Sequence, residues 1–391
     1  SHFSPLIGPY ESKDPDTIAL QLDLLKQAGV DGIIVDWYGA SGRNDYTALL
    51  EASDVIIPAA AAAGLLWCIC YEDRTVDGLD SSLWQGHLNT DLKYIADTYP
   101  MDSMLRDSAD GRSGNLVLLN FGPINIKDTS VWTSALAHAF PGETVRVLGV
   151  EGPNSGVLSD GNFGWPAGSL FASPTTAATV TAYLSAFYNG ASAFTPKMGA
   201  AFPMFKDYYR EGLAVGGTEE SWWGVNLLDL DGQTLQLGLD MAKTRGAHSV
   251  QIATLNDWQE GTIIEPSYQK GFKYLLQIQQ HLTGTTNQAA MEASVRAYYA
   301  KKDFGSECAA FRDCDAQPLD RLCACKHTLL PSPPAPPAYE RPAWALIVAP
   351  LTGLAVALLL VLILFVIGYF VFPSAMDEKS PLVKPVRVEP S

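Results

Sequence analysis

The chain is poor in charge, and poorer still in positive charge. Only 17% of its 391 residues are charged, and 26 Lys and Arg face 42 Asp and Glu, for a formal net charge of −16. So acidic a surface repels phosphate backbones and excludes nucleic acid as a partner class. The six His stand singly at positions 2, 87, 138, 248, 281 and 327, without the spacing of metal ligands. No metal and no cofactor is therefore expected. A serine-hydrolase triad lacks its G-x-S-x-G elbow, and no Gly-rich phosphate turn follows the first apolar strand. N-x-[ST] sequons are absent as well. The chain opens SHFSPLIGPY with neither an initiator Met nor a signal-peptide pattern, so further sequence is expected upstream of Ser1.

Apolar residues, by contrast, make up 47% of the chain, enough for a large core. A run of thirty residues at 343–372 is apolar apart from Pro350, Thr352, Gly353 and Gly368, with no charge between Arg341 and Asp377. A bilayer-spanning helix needs about 20 such residues. Trp344 and Tyr369 suit the two interfaces, and Lys379, Lys384 and Arg387 in the tail 373–391 favour a cytoplasmic C-terminus. The lipid bilayer is thus an expected partner through residues 343–372. Before the run, six prolines between 331 and 342 predict a stiff extended stalk. Upstream again, in a helical and Cys-rich segment at 285–330, Cys308, Cys314, Cys323 and Cys325 follow a C-x5-C-x8-C-x-C spacing. That spacing fits disulfides in an extracytoplasmic compartment better than zinc. Cys68 and Cys70 alternate on an apolar strand and read as inert core thiols.

Residues 1–284 alternate strand and helix patterns. Strands are expected at 32–38, 65–71, 115–121, 145–152 and 249–258, with weaker ones near 162–165 and 197–203. Helices are expected at 17–29, 46–64, 91–99, 179–189, 234–244 and 270–282. This is an α/β pattern, and a (β/α)8 TIM barrel is its natural closure, with the eighth strand, first in order, lying upstream of Ser1. A doubly wound open sheet is the alternative.

Barrel enzymes gather their chemistry at the C-terminal ends of the strands. Here those ends read Asp36-Trp37-Tyr38, Tyr71-Glu72-Asp73 and Asn256-Asp257-Trp258, with Glu260 and Glu265 following. Carboxylates accept bonds from sugar hydroxyls, aromatic rings stack on sugar faces, and two acids can share general acid and base roles. Each residue also has a plainer use. Asp36 and Asp73 can cap helices or pair with Arg, and Asp257 and Glu260 can cap the helix that follows.

From these residues the chain resembles glycoside hydrolase family 99 and the related 71/99-like proteins over about residues 2–282. The likeness is carried by HFSPLIGPYESKDP (2–15), LLKQAGVDGIIVDWYG (24–39), CYED (70–73), FGP (121–123), FPMFKDYYREG (202–212) and LNDWQEGTIIEPSYQKGFKYL (255–275). It implies a (β/α)8 barrel and endo-α-mannosidase-like hydrolysis that retains configuration. The family's E-x-x-E motif falls on Asp257 and Glu260, with Asp in place of the first Glu. By that likeness Asp257 is the base that activates the substrate's own 2-hydroxyl, and Glu260 the acid/base at the leaving oxygen. Asp36, Trp37, Tyr38, Tyr71, Glu72, Asp73, Asn256, Trp258 and Glu265 are the expected sugar-binding residues. The expected partner is an oligosaccharide or polysaccharide containing α-linked mannose or glucose. A sugar-binding protein without turnover, or a domain serving polysaccharide biosynthesis, stands as the alternative. The tether places the catalytic domain in the Golgi lumen or at the cell surface.

Overall fold

A computed structural model describes residues 2–41, 46–150, 160–166, 175–190, 198–207 and 227–302. The cysteines at 308, 314, 323 and 325, the stalk at 331–342 and the apolar run at 343–372 lie outside the described residues. No helix among the described residues is long and apolar enough to cross a membrane.

The first helix shows how local sequence sets an element. Asp14 accepts the N–H groups of Asp16 and Thr17, Pro15 occupies the first turn, and Leu20, Leu24 and Leu25 form a buried stripe. This helix, α1 (Pro15–Gln27), ends at Gly29, whose φ of +81° turns the chain into strand β1 (Gly32–Trp37). There follow α2 (Thr47–Ala62), β2 (Leu66–Tyr71), α3 (Trp84–Thr98), β3 (Leu116–Asn120), α4 (Thr129–Ala139), β4 (Val145–Val150) and β5 (Gly161–Phe163). Then come α5 (Ala177–Gly190), β6 (Met198–Ala201), α6 (Gln233–Thr244), β7 (Ser249–Ile252), α7 (Lys273–Thr283) and α8 (Gln288–Lys301).

Every described strand pair is parallel, and the strands lie in chain order: β1-β2-β3-β4-β5 in one sheet and β6-β7 in another. Chain order without a reversal is the winding of a barrel, not of a doubly wound sheet. The two sheets adjoin where β5 ends: a Cβ added to Gly164 would lie 2.3 Å from that of Ala200 on β6. Strand β1 pairs only with β2, and β7 only with β6, among the described residues. Accordingly β2 and β3 are wholly buried, whereas β1 and β7 are only partly so.

Alternation along the strands builds two cores. Cys68, Cys70, Val117, Leu119, Leu148, Phe163 and Met198 pack inside the barrel. Trp67, Ile69 and Tyr71 face the other way, onto Leu88, Leu92 and Ile95 of α3 and Trp132 of α4. Burial pushes the Cys68 thiol up to about 12, which keeps it inert. The helical layer continues past residue 284: Met291, Val295 and Tyr298 of α8 pack with Leu6, Leu20 and Leu24.

Two expectations about extent are corrected. The strand read over 249–258 stops at Ile252, because the chain folds back there and Thr254 N–H donates to the Thr262 carbonyl. The helix read over 91–99 begins earlier, at Trp84, after a short turn capped by Asp80.

Candidate active site

Four carboxylates gather at the C-terminal ends of β1, β2 and β7. Asp36 is the last inward-facing residue of β1, paired in register with Cys70 of β2, and Glu72 directly follows β2. Asp257 and Glu260 sit on the turn after β7. Charge links them into one group: Asp257 acts on Asp36, and both Asp36 and Glu260 act on Glu72. Asp36 is exposed to solvent, yet protein groups surround it closely. Desolvation therefore raises its pKa, and the charge of Asp257 raises it further, while a hydrogen bond from Tyr38 opposes both. Glu72 is raised in the same way, by burial first and then by Asp36. Asp257 is raised by burial against two backbone hydrogen bonds. Crowding of this kind keeps protons on part of the cluster near neutrality, so it holds acids and bases together.

The turn bearing Asp257 and Glu260 is tightly specified. Asp257 Oδ1 accepts the N–H of Glu260 at 2.9 Å and of Gln259 at 3.1 Å. Its own N–H donates to Thr254 Oγ1 at 3.0 Å, and Gly261 N–H returns to the Asp257 carbonyl. Lys206 N–H, after β6, donates to the Glu260 carbonyl at 2.7 Å. The capping role is thus real for Asp257, though it serves a turn rather than helix α7.

The remaining residues expected here divide in two. Tyr38 stays with the acids, bonded to Asp36, with its ring centroid 4.7 Å from that of Tyr46 and tilted by 38°, a ring the strand-end pattern did not single out. Asn256 and Trp258 flank Asp257, and both donate to the hydroxyl of Tyr10, at 3.3 and 3.2 Å. Glu265 is buried beneath them and accepts from Tyr10 at 2.7 Å and Gln21 at 3.0 Å. Trp37, Tyr71 and Asp73 do not join the carboxylates. Trp37 is fully buried on the outer face of the sheet and donates to Tyr99. Tyr71 donates to Asp91 of α3 at 2.7 Å. Asp73 Oδ2 accepts the N–H groups of Ile124, Asn125 and Ile126 and so holds the loop after β3.

Two buried acceptors at this end have no hydrogen-bond partner among the described residues: Glu72 Oε2 and Gln251 Oε1 on β7. Buried acceptors are costly to leave without donors. A ligand rich in hydroxyl groups supplies donors of the kind they need.

No family model matches the chain. It is 22% identical over 285 residues to a human protein described as glycoprotein endo-alpha-1,2-mannosidase-like, covering 69% of this chain and 58% of the relative. A mouse protein of the same description is 22% identical over the same length, with 59% of it covered. The chain thus spans less than two thirds of these relatives. Among solved structures it is similar to the GH99 endo-alpha-mannosidase from Bacteroides thetaiotaomicron, with a TM-score of 0.51 at 19% identity over 76% of this chain and 85% of that one. The same enzyme in complex with bis-tris propane gives a TM-score of 0.50, covering 76% and 89%. A glycoside hydrolase-like protein gives 0.53 at 13% identity, covering 72% and 89%. In sequence the chain is thus similar to endo-alpha-1,2-mannosidase-like proteins, and it shares the fold of the GH99 endo-alpha-mannosidase.

Proposed function

We propose that the chain is a retaining glycoside hydrolase acting on α-linked mannose or glucose in glycans or polysaccharides. The observation that carries this reading is the charge-linked group of Asp36, Glu72, Asp257 and Glu260 at the carboxyl ends of the strands. Asp257 takes the proton of the sugar's 2-hydroxyl as that oxygen bonds to the anomeric carbon. The glycosidic bond breaks in the same step, and Glu260 protonates the departing oxygen. Water then attacks the anomeric carbon, giving its proton to Glu260, as the bond from that carbon to the 2-oxygen breaks and the 2-oxygen regains its proton from Asp257. Asp36 and Glu72 bind the hydroxyls of the sugar. Tyr38 offers a ring beside them.

The test is turnover of α-mannoside and α-glucoside oligosaccharides by the wild-type chain and by Glu260→Gln. Loss of turnover with sugar binding retained supports the reading. Binding without any wild-type turnover overturns it in favour of a second reading, a sugar-binding protein. One observation favours that second reading: the shorter Asp257 side chain is engaged through Oδ1 in holding its own turn.

The thirty-residue apolar run at 343–372 supports a single-pass anchor, with the barrel outside the cytoplasm in the Golgi lumen or at the cell surface. Cys308, Cys314, Cys323 and Cys325 form disulfides in that compartment.

A further inference from the structure

Tyr10 lies far from the acids in sequence, on the segment that precedes α1, yet its hydroxyl contacts both neighbours of Asp257. It accepts from the Asn256 amide at 3.3 Å and from the Trp258 indole at 3.2 Å, and donates to Glu265 Oε2 at 2.7 Å. The second oxygen of Glu265 accepts from Gln21 on α1 at 3.0 Å. The backbone repeats the connection: Leu6 N–H donates to the Pro266 carbonyl, and Tyr268 N–H to that of Ser4. Glu265 N–H in turn closes onto the Leu255 carbonyl at 2.9 Å.

A hydroxyl has one proton to give and two lone pairs to fill. With its proton committed to Glu265, Tyr10 presents both lone pairs to the turn. Burial raises Tyr10 above the usual phenol range, with the charge of Glu265 adding to it, so the proton stays on the phenol. We infer that Tyr10 is a positioning residue: held by Glu265 and Gln21, it fixes Asn256 and Trp258 and thereby sets where Asp257 and Glu260 stand. The role assigned rests on the hydrolase reading above. A carboxylate displaced by about 1 Å can lose a hundredfold in rate without any loss of substrate contacts.

The comparison that isolates this role is Tyr10→Phe against Tyr299→Phe in the full chain. Tyr299 tethers the same N-terminal segment from α8, donating to the Leu6 carbonyl at 2.7 Å. Tyr10→Phe is expected to lower kcat at least tenfold with KM within about twofold. Amide hydrogen exchange over residues 254–264 should speed up, with β2 and β3 unchanged. Tyr299→Phe should leave kcat within about twofold of wild type. Equal loss in the two variants, or unchanged exchange over 254–264 in Tyr10→Phe, overturns the inference. If the wild-type chain has no turnover, the hydrolase reading fails by itself, and exchange over 254–264 alone decides whether Tyr10 holds the turn.

Discussion

The Asp257 side chain accepts two backbone N–H groups through Oδ1, so Asn at this position preserves the turn while removing the charge. Asp257→Asn should leave unfolding stability within about 0.5 kcal/mol of wild type and lower turnover at least a hundredfold. Asp257→Ala, which loses the cap as well, should cost about 1 kcal/mol more in urea denaturation. Turnover that survives in Asp257→Asn would remove this residue from the base role. Glu265 makes a separate prediction. Burial pushes its carboxyl from an ordinary 4.5 up to about 7, so the unfolded chain gives up this proton at lower pH than the folded one. In the window between those values the folded state binds more protons, and stability falls as pH rises, levelling off above pH about 7. A rise of that size corresponds to about 3 kcal/mol. Glu265→Gln should flatten the stability slope across the window, with Asp36 and Glu72, raised in the same sense, leaving a residual slope. An unaltered slope would show that Glu265 is not the group responsible. Strand alternation explains which site residues were legible. Asp36 faces in and Trp37 out, Tyr71 out and Glu72 in, so reading the strand ends as unbroken blocks took in residues of both faces. The same period of two would have sorted them. Tyr10 and Gln21 carry no such local signal, because their contacts with the turn span 246 and 244 residues.

At the scale of the element, the strands were the most legible part, since a short apolar run between polar turns has few other uses in an alternating chain. The helices were less so. Helix α4 (TSVWTSALAHA) mixes Thr, Val and Trp with Ala and Leu, a weak helical signal, and it forms because Asp128 caps it while Trp132, Ala135 and Leu136 pack on the sheet. The loop just before α4 shows how one buried acid organises an element. Asp73 receives three consecutive N–H groups, from Ile124, Asn125 and Ile126, and the loop they belong to has no helix or strand ladder of its own. Asp73→Ala leaves these donors without that acceptor and should cost about 3 kcal/mol in urea denaturation. Asp73→Asn keeps one side-chain oxygen and should cost less than half as much, on the order of 1 kcal/mol. Equal losses in the two variants would mean that the charge matters more than the acceptor geometry.

At the scale of the molecule, the strongest physical signal in the chain is the run at 343–372, whose consequence is open to direct measurement. The 42 acidic and 26 basic residues are concentrated outside it, so the chain joins an acidic, water-compatible barrel region to a segment that carries no charge. In detergent phase separation the full chain should enter the detergent phase, because a span of about 20 apolar residues already suffices for stable insertion. Arginines placed near the centre of such a span cost about 2.5–3.5 kcal/mol each. The double substitution Leu359→Arg with Ile363→Arg should therefore return the chain to the aqueous phase or to aggregates. Turnover by the barrel should be unaffected, because every carboxylate of the proposed site lies between Asp36 and Glu260, upstream of the span. If the wild-type chain stays aqueous, the anchor is excluded while the hydrolase reading stands. If it enters detergent but the arginine variant does so equally, membrane association comes from another surface, and the apolar run is not what holds the protein there.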